Sequence, residues 1–235
     1  MKSKIAVTGC VVAVVLAAGL LPPTDAAAKL VAITYSGTAH LQFNFGGLFG
    51  GLPVDQTADF TDTFVFDLNR GSRVSFSGFD VLFGGSFSGS ASPLIDSRLT
   101  INGQTVDFPG GASDHVIYTT TMAQAGSTEY NSGPYGYENN IVSINASTPA
   151  VLSTPFSAVG TPGYSLFSIC YTPGCDATEF TTSVVVLGYL SATQITARIV
   201  PEPETWVMML VGLCGLGALL RARRDRGPFE RRGMA

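Results

Sequence analysis

An all-β fold is what this sequence predicts: an antiparallel β-sandwich, with a jelly-roll as the runner-up. Three observations carry that expectation. Residues 31–45 alternate between apolar and polar, the signature of a half-buried strand. Gly, Ser, Asn and Pro turn signals then recur at short intervals, and no amphipathic helical period of useful length interrupts them. Residues 29–200 span 172 positions, long enough for one domain with its own core.

In the first strand Val31, Ile33, Tyr35, Ala39, Leu41, Phe43 and Phe45 occupy one face, and Thr, Ser, His, Gln and Asn dominate the other. A run this long predicts one strand or a hairpin kinked near Gly37. After the pairs Gly46-Gly47 and Gly50-Gly51, Phe60, Phe64, Phe66 and Leu68 share the face of a second strand. Asp62 falls on that same face. A place at the start of the strand, meeting a turn N–H, is expected for it, with calcium ligation as the lesser alternative. Residues 74–83 read as one strand whose apolar phase slips at Gly78-Phe79, a bulge signature. Residues 98–108 read as a hairpin, because Asn102-Gly103 is the preferred type I′ loop; the register sets Leu99 opposite Val106 and Thr100 opposite Thr105. Further strands are expected at 115–122, 141–145, 164–171, 180–190 and 193–200, about nine in all.

Both ends of the chain differ from this body. Lys2 and Lys4 precede an apolar run over 5–21, then Pro22-Pro23 and Ala26-Ala27-Ala28. These are the charged, apolar and small-residue parts of an export signal, with cleavage by signal peptidase expected after Ala28. Toward the C-terminus, Pro201-Glu202-Pro203 forms a stiff strip that cannot join a helix, since each proline fixes φ and lacks an N–H. Residues 205–220 follow as 16 positions without a charge, the short end of what spans a bilayer. Arg221, Arg223, Arg224 and Arg226 close that run with a basic cluster. The expected organisation is a signal peptide at 1–28, an exported body at 29–200, a sorting segment with a transmembrane helix at 201–226 and a cytoplasmic tail at 227–235.

Charge agrees with that topology. Residues 29–204 hold five basic and fourteen acidic side chains, a net charge of −9, whereas the tail carries six arginines. Arginines inside and an acidic body outside satisfy the positive-inside rule. An acidic body also argues against nucleic acid or an anionic lipid surface as partner.

The strip, apolar run and arginine cluster, in that order, resemble the PEP-CTERM sorting signal of Gram-negative bacteria. The resemblance begins at Val200 and covers the remainder of the chain. It implies recognition of Pro201, Glu202 and Pro203 by an exosortase, a membrane-embedded processing enzyme. It also implies transient anchoring in the inner membrane and delivery to the cell surface or extracellular matrix. This is an address and not an activity. The family's association with exopolysaccharide and biofilm makes extracellular polysaccharide the candidate partner. Phe60, Asp62 and Phe64 further resemble the Phe-x-Asp-x-Phe pattern of one PEP-CTERM subfamily, which would imply a small exported β-protein.

Motifs for catalysis are missing from the sequence: it contains no Gly-x-Ser-x-Gly elbow, no His-Glu-x-x-His and no phosphate-cradling glycine loop. The expectation is a protein without enzymatic activity, cofactor or metal. His40 and His115 read as surface residues, and the Asp114-His115 neighbourhood does not by itself orient an imidazole. Cys170 and Cys175 bracket Tyr171-Thr172-Pro173-Gly174, and in an oxidising compartment two cysteines about a tight turn predict a hairpin-closing disulfide. Residues 124–140 read as a loop of 17 positions in which Tyr130, Tyr135 and Tyr137, beside Asn131, Asn139 and Asn140, could stack on sugars. A loop packed by its own tyrosines is the plainer alternative. The function expected is that of an exported surface or matrix protein; a carbohydrate-binding module is the alternative, and a glycan-directed hydrolase the third reading.

Overall fold

The computed structural model describes residues 29–44, 47–130, 137–170, 184–201, 210–217 and 221. Among them the body is built from thirteen strands: β1 (Leu30–Asn44), β2 (Thr57–Asp67), β3 (Ser72–Phe76), β4 (Phe79–Gly84), β5 (Leu94–Ile101), β6 (Gln104–Asp107), β7 (Ser113–Thr119), β8 (Met122–Tyr130), β9 (Tyr137–Asn145), β10 (Phe156–Val159), β11 (Thr161–Pro162), β12 (Leu166–Cys170) and β13 (Val184–Val200). All pair antiparallel in one continuous sheet, in the order β3-β4-β7-β8-β9-β12-β13-β1-β2-β5-β6. β10 adds to β13 beyond the end of β12, and β11 adds to β9. The all-β expectation holds.

The sheet cannot be flat. β7 and β1 are five places apart in the order, which in a plane would separate them by about 24 Å at about 4.8 Å per strand. Yet the Tyr35 and Tyr118 hydroxyls, one from each, interact electrostatically. Similarly, Asp62 of β2 lies within reach of Asn140 of β9, four places away. The two halves therefore roll over to face one another, and the core fills the space between them. Phe49, on the turn after β1, is fully buried there and meets Phe167 of β12 edge-on at 5.5 Å; Tyr118 meets Phe156 of β10 at 5.3 Å.

β1 follows its sequence pattern closely: Val31, Ile33, Tyr35, Ala39 and Leu41 are buried. The kink expected near Gly37 is a register shift between Ser36 and Gly37 against β13. Only glycine fits there, because a Cβ on Gly37 would lie 2.0 Å from the Ser191 carbonyl oxygen. The β5–β6 hairpin has the expected register, Leu99 to Val106 and Thr100 to Thr105, with Asn102 and Gly103 at φ 52° and 74°.

Three expectations are corrected. The bulged strand at 74–83 is a hairpin, β3 to β4, turning at Ser77-Gly78 with Gly78 at φ 77°. The phase slip was therefore a reversal of direction and not an inserted residue. The strands expected at 180–190 and 193–200 are one from Val184 on, β13, which runs through Ser191 and Ala192 without a turn because β1 pairs along its length; residues 180–183 lie outside the described residues. The 17-residue tyrosine loop is mostly ladder, with β8 and β9 paired from Met122–Asn145 to Tyr130–Tyr137. Small residues, Ala123, Ala125, Gly126 and Ser127, concealed β8 because they carry little apolar signal.

Leu152, on the long connection before β10, is held by the buried Asp80 of β4. The Asp80 carboxylate accepts from the Leu152 N–H at 2.9 Å and from the Arg73 guanidinium on both oxygens, one at 2.8 Å. Burial alone would raise the Asp80 pKa, but the hydrogen bonds from Arg73, Leu152 and Ser75, with the Arg73 charge, together leave it below the usual carboxylate range. The pair's contribution is then present above the unfolded-state pKa and is lost as pH falls through the folded-state value. Arg73→Ala is expected to lower stability by about 1–2 kcal/mol at pH 7, less than the ~3–5 kcal/mol of a fully buried pair, because water screens the guanidinium. Urea melts at pH 7 and pH 3 check this: the deficit should shrink in acid, where the wild type also loses the pair.

Candidate functional site

The chain leaves the body at the end of its most heavily paired strand. Val200 is the last residue of β13 and pairs with Leu30, the first of β1, while Leu30 also pairs with Asp67 of β2. The Lys29 carbonyl accepts from the Leu68 N–H at 3.0 Å, so the start of β1, the end of β2 and the end of β13 form one rim. Pro201 follows at once and is exposed. No linker separates the folded sheet from the Pro-Glu-Pro strip. Glu202, Pro203 and residues 204–209 lie outside the described residues, as do Arg223, Arg224 and Arg226. Residues 210–217 are helical and exposed, with Leu210, Val211, Leu213 and Leu216 between 49% and 58% accessible, and Arg221 is likewise helical and exposed. Among the described residues no helix is long and apolar enough to cross a membrane.

A family model for the PEP-CTERM protein-sorting motif matches residues 200–224. The chain carries a PEP-CTERM sorting signal. Its start coincides with the final residue of β13, and it takes in Pro201, Glu202, Pro203, Arg221, Arg223 and Arg224. No curated protein and no solved structure matches the chain. The PEP-CTERM match begins at residue 200 and does not take in Phe60, Asp62 and Phe64, so the subfamily pattern gains nothing from it. The signal implies an exported protein that passes through a membrane-anchored stage before exosortase processing.

Within the body, Asp62 is the residue that sequence reasoning misplaced. It stands in the middle of β2, fully buried, and not at a strand start. Tyr35 is its cross-strand partner on β1, Tyr118 lies near Tyr35, and Asn140 of β9 approaches from the facing half. All four are 0% accessible. Among the described residues, both Asp62 oxygens, both Asn140 amide atoms and both tyrosine hydroxyls lack a partner in hydrogen-bond geometry. Burial pushes the Asp62 carboxyl well above its usual range, only partly offset by the nearby Asn140 amide and Thr63 N–H. Burial likewise raises both phenols. Burial without a cation or a full set of donors disfavours the carboxylate, so the site suits a neutral acid. A calcium ion wants six or more oxygens with lone pairs turned toward it. Closed to solvent, the island is a feature of the core.

Other candidates disperse. Asp114 points inward, accepting from the Ser92 hydroxyl at 2.6 Å and the Gly111 N–H at 2.8 Å, which pins the Gly110-Gly111 turn. His115 lies on the opposite face of β7, against Gly126 of β8, where burial lowers its pKa. His40 stands 3.8 Å from Asp55 on the outside. Among the described residues no group of three His, Cys, Asp or Glu side chains gathers. Tyr137 is 8% accessible and packs with Cys170, its partner across β9 and β12. It is therefore no sugar contact. Tyr130 ends β8, and Tyr135 lies outside the described residues. Cys170 does not stand as a free thiol, and Cys175 is outside the described residues. Tyr164 and Tyr189, 67% and 43% accessible, are the exposed tyrosines that the sequence did not single out.

A raised folded-state pKa means that the Asp62 contribution is intact below the unfolded-state pKa and lost as pH rises through the folded-state one. Asp62→Asn keeps the shape and removes the titration. It is expected to melt above the wild type at pH 8, by about 2–4 °C for each ~1 kcal/mol recovered. At pH 4 the two melts should converge; a variant less stable than wild type at pH 8 would falsify the buried-acid assignment.

Proposed function

We propose that residues 29–200 form an exported, sandwich-like β-body without enzymatic activity. An N-terminal signal carries it to the inner membrane, and residues 205–220 hold it there. An exosortase acting at Pro201-Glu202-Pro203 then releases it to the cell surface or extracellular matrix. The observation that carries this reading is the sorting-motif match that starts on the last residue of β13. Arg221, Arg223, Arg224 and Arg226 stay cytoplasmic as positive-inside anchors, which leaves the strip at the opposite face. Two prolines keep that strip extended and open to an enzyme, and Glu202 supplies its charge. Cys170 and Cys175 close a disulfide once the chain reaches the oxidising side.

Mass spectrometry of the mature C-terminus tests this. In a host with the exosortase, residues 206–220 are expected to be absent from the mature protein; in a host lacking it they should remain. Glu202→Ala should block processing while membrane insertion persists. Equal retention of 206–220 in both hosts overturns the sorting reading. Alkylation of the same material should leave Cys170 and Cys175 unmodified until reduction; two freely alkylated thiols refute the bridge.

A second reading, carbohydrate binding, is supported by the outward tyrosines. Tyr189 stands on β13 opposite Leu166 of β12, Tyr164 lies in the connection two residues before Leu166, and both rings are exposed. Exposed rings on a rigid sheet offer stacking surface for sugars. Titration of the processed protein with host exopolysaccharide should give binding about 2- to 10-fold weaker in Tyr189→Ala. Absence of binding by the wild type, or unchanged binding by the variant, removes this reading.

A further inference from the structure

We propose that the rim from which the chain departs is a docking surface for anionic phospholipid headgroups, used while the C-terminal segment holds the protein at the membrane. The inference rests on the anchoring reading above and adds to it a face, an orientation and a lipid chemistry.

The first argument is reach. Val200 is fixed in the sheet, and the apolar run is under way by Trp206, six Cα steps later. Fully extended, those steps span at most about 20 Å. The polar layer of a bilayer occupies about 5–8 Å on each side of its hydrocarbon. The rim formed by Lys29, Leu68 and Val200 is thus tethered within a short distance of the headgroups, and the far end of the body is not.

The second argument is the placement of charge. The exported body is acidic on average, but its five basic side chains are not spread evenly. Arg73 is engaged by Asp80, and Arg98 by Asp96 and Asp107. The other three are Lys29, Arg70 and Arg198, and all are exposed. Among the described residues none of the three forms an ion pair. Each belongs to the rim. Lys29 precedes Leu30 and bonds Leu68 through its carbonyl; Arg70 bonds the Asp67 carbonyl through its N–H; Arg198 is two residues from Val200. Asp67, the acid nearest them, is buried and turned to the Asn69 N–H. The exposed acids Asp55 and Asp59 lie toward the other end of β1 and β2, near Leu41 and Thr38. Asp96 and Asp107, on β5 and β6, also lie on the rim side, where they share Arg98. What gathers toward the tether is therefore the set of basic side chains without an acidic partner, and not a net positive end. Glu202 and Glu204 on the strip oppose the attraction, so three cations give a modest preference and not tight binding.

At an anionic surface each basic residue is worth roughly a five-fold preference at low salt, and the effect fades within a Debye length of about 8–10 Å. The test uses the membrane-purified chain in two sets of vesicles, one of phosphatidylcholine alone and one containing about a third phosphatidylglycerol, read by amide hydrogen exchange. Slower exchange at 66–71 and 196–200 is expected only in the anionic vesicles, fading at 0.5 M salt. It should be absent from Lys29→Gln/Arg70→Gln/Arg198→Gln, whose melting temperature and retention in the vesicles should match the wild type. Equal exchange in both vesicle types, with the chain retained in each, overturns this proposal and leaves the anchoring reading intact. Protection that appears only when the exosortase is co-reconstituted assigns the rim to the enzyme and overturns the lipid assignment. A chain that neither vesicle type retains overturns the anchor, and this proposal with it.

Discussion

The body depends on one pairing, that of its first strand with its last. β1 and β13 run together from Leu30–Val200 to Asn44–Val186, and each also carries the next strand of its own half, β2 on one side and β12 with β10 on the other. Remove that ladder and the sheet parts into two pieces, each with a bare apolar face. The closure entropy of so long a loop grows only slowly with its length, so the pairing is affordable at equilibrium. Such non-local pairing is nevertheless slow to form. Because β13 is followed without a spacer by the sorting segment, the centre of the sheet closes only after residue 200 has been delivered. Export, anchoring and folding are thereby tied to one strand.

Rolling the sheet about that ladder sets the energetics of the core. Apolar side chains meet across it, as Phe49 meets Phe167, and so does a polar island of Tyr35, Asp62, Tyr118 and Asn140. An unpartnered buried polar group costs about 1–3 kcal/mol, which this core tolerates at its middle. The Arg73–Asp80 pair is the contrasting case: it also buries a carboxylate, but a charged partner and a backbone N–H meet both oxygens. Two buried aspartates on one sheet are therefore shifted in opposite directions by what faces them.

Much of the strand pattern was legible, because alternation and turn chemistry are local. Gly37 as the kink and Asn102-Gly103 as the hairpin turn follow from sequence alone, since each is decided within a few residues. β8 was not legible, because Ala123, Ala125 and Gly126 have little apolar surface to alternate, and its existence depends on neighbours β7 and β9. Ser77-Gly78 was ambiguous for a related reason: a phase slip looks the same for a bulge and for a reversal until the partner strand is known. Of the candidate ligand tyrosines, Tyr137 is withdrawn beside Cys170 across the ladder, a neighbour that local sequence does not reveal, while Tyr164 and Tyr189 are left outside.

The sequence by itself determined the address: Pro201-Glu202-Pro203, the uncharged run and the arginines act through stiffness, length and charge order, none of which needs a partner elsewhere in the chain. It also determined the all-β character, through period-two alternation. Only the tertiary structure decided where Asp62 stands, because burial is a property of what covers a face and not of the face. Only it decided that Lys29, Arg70 and Arg198 share one rim, for they come together when β1, β2 and β13 align their ends. Net charge sums over the chain; a surface depends on which residues are neighbours in space.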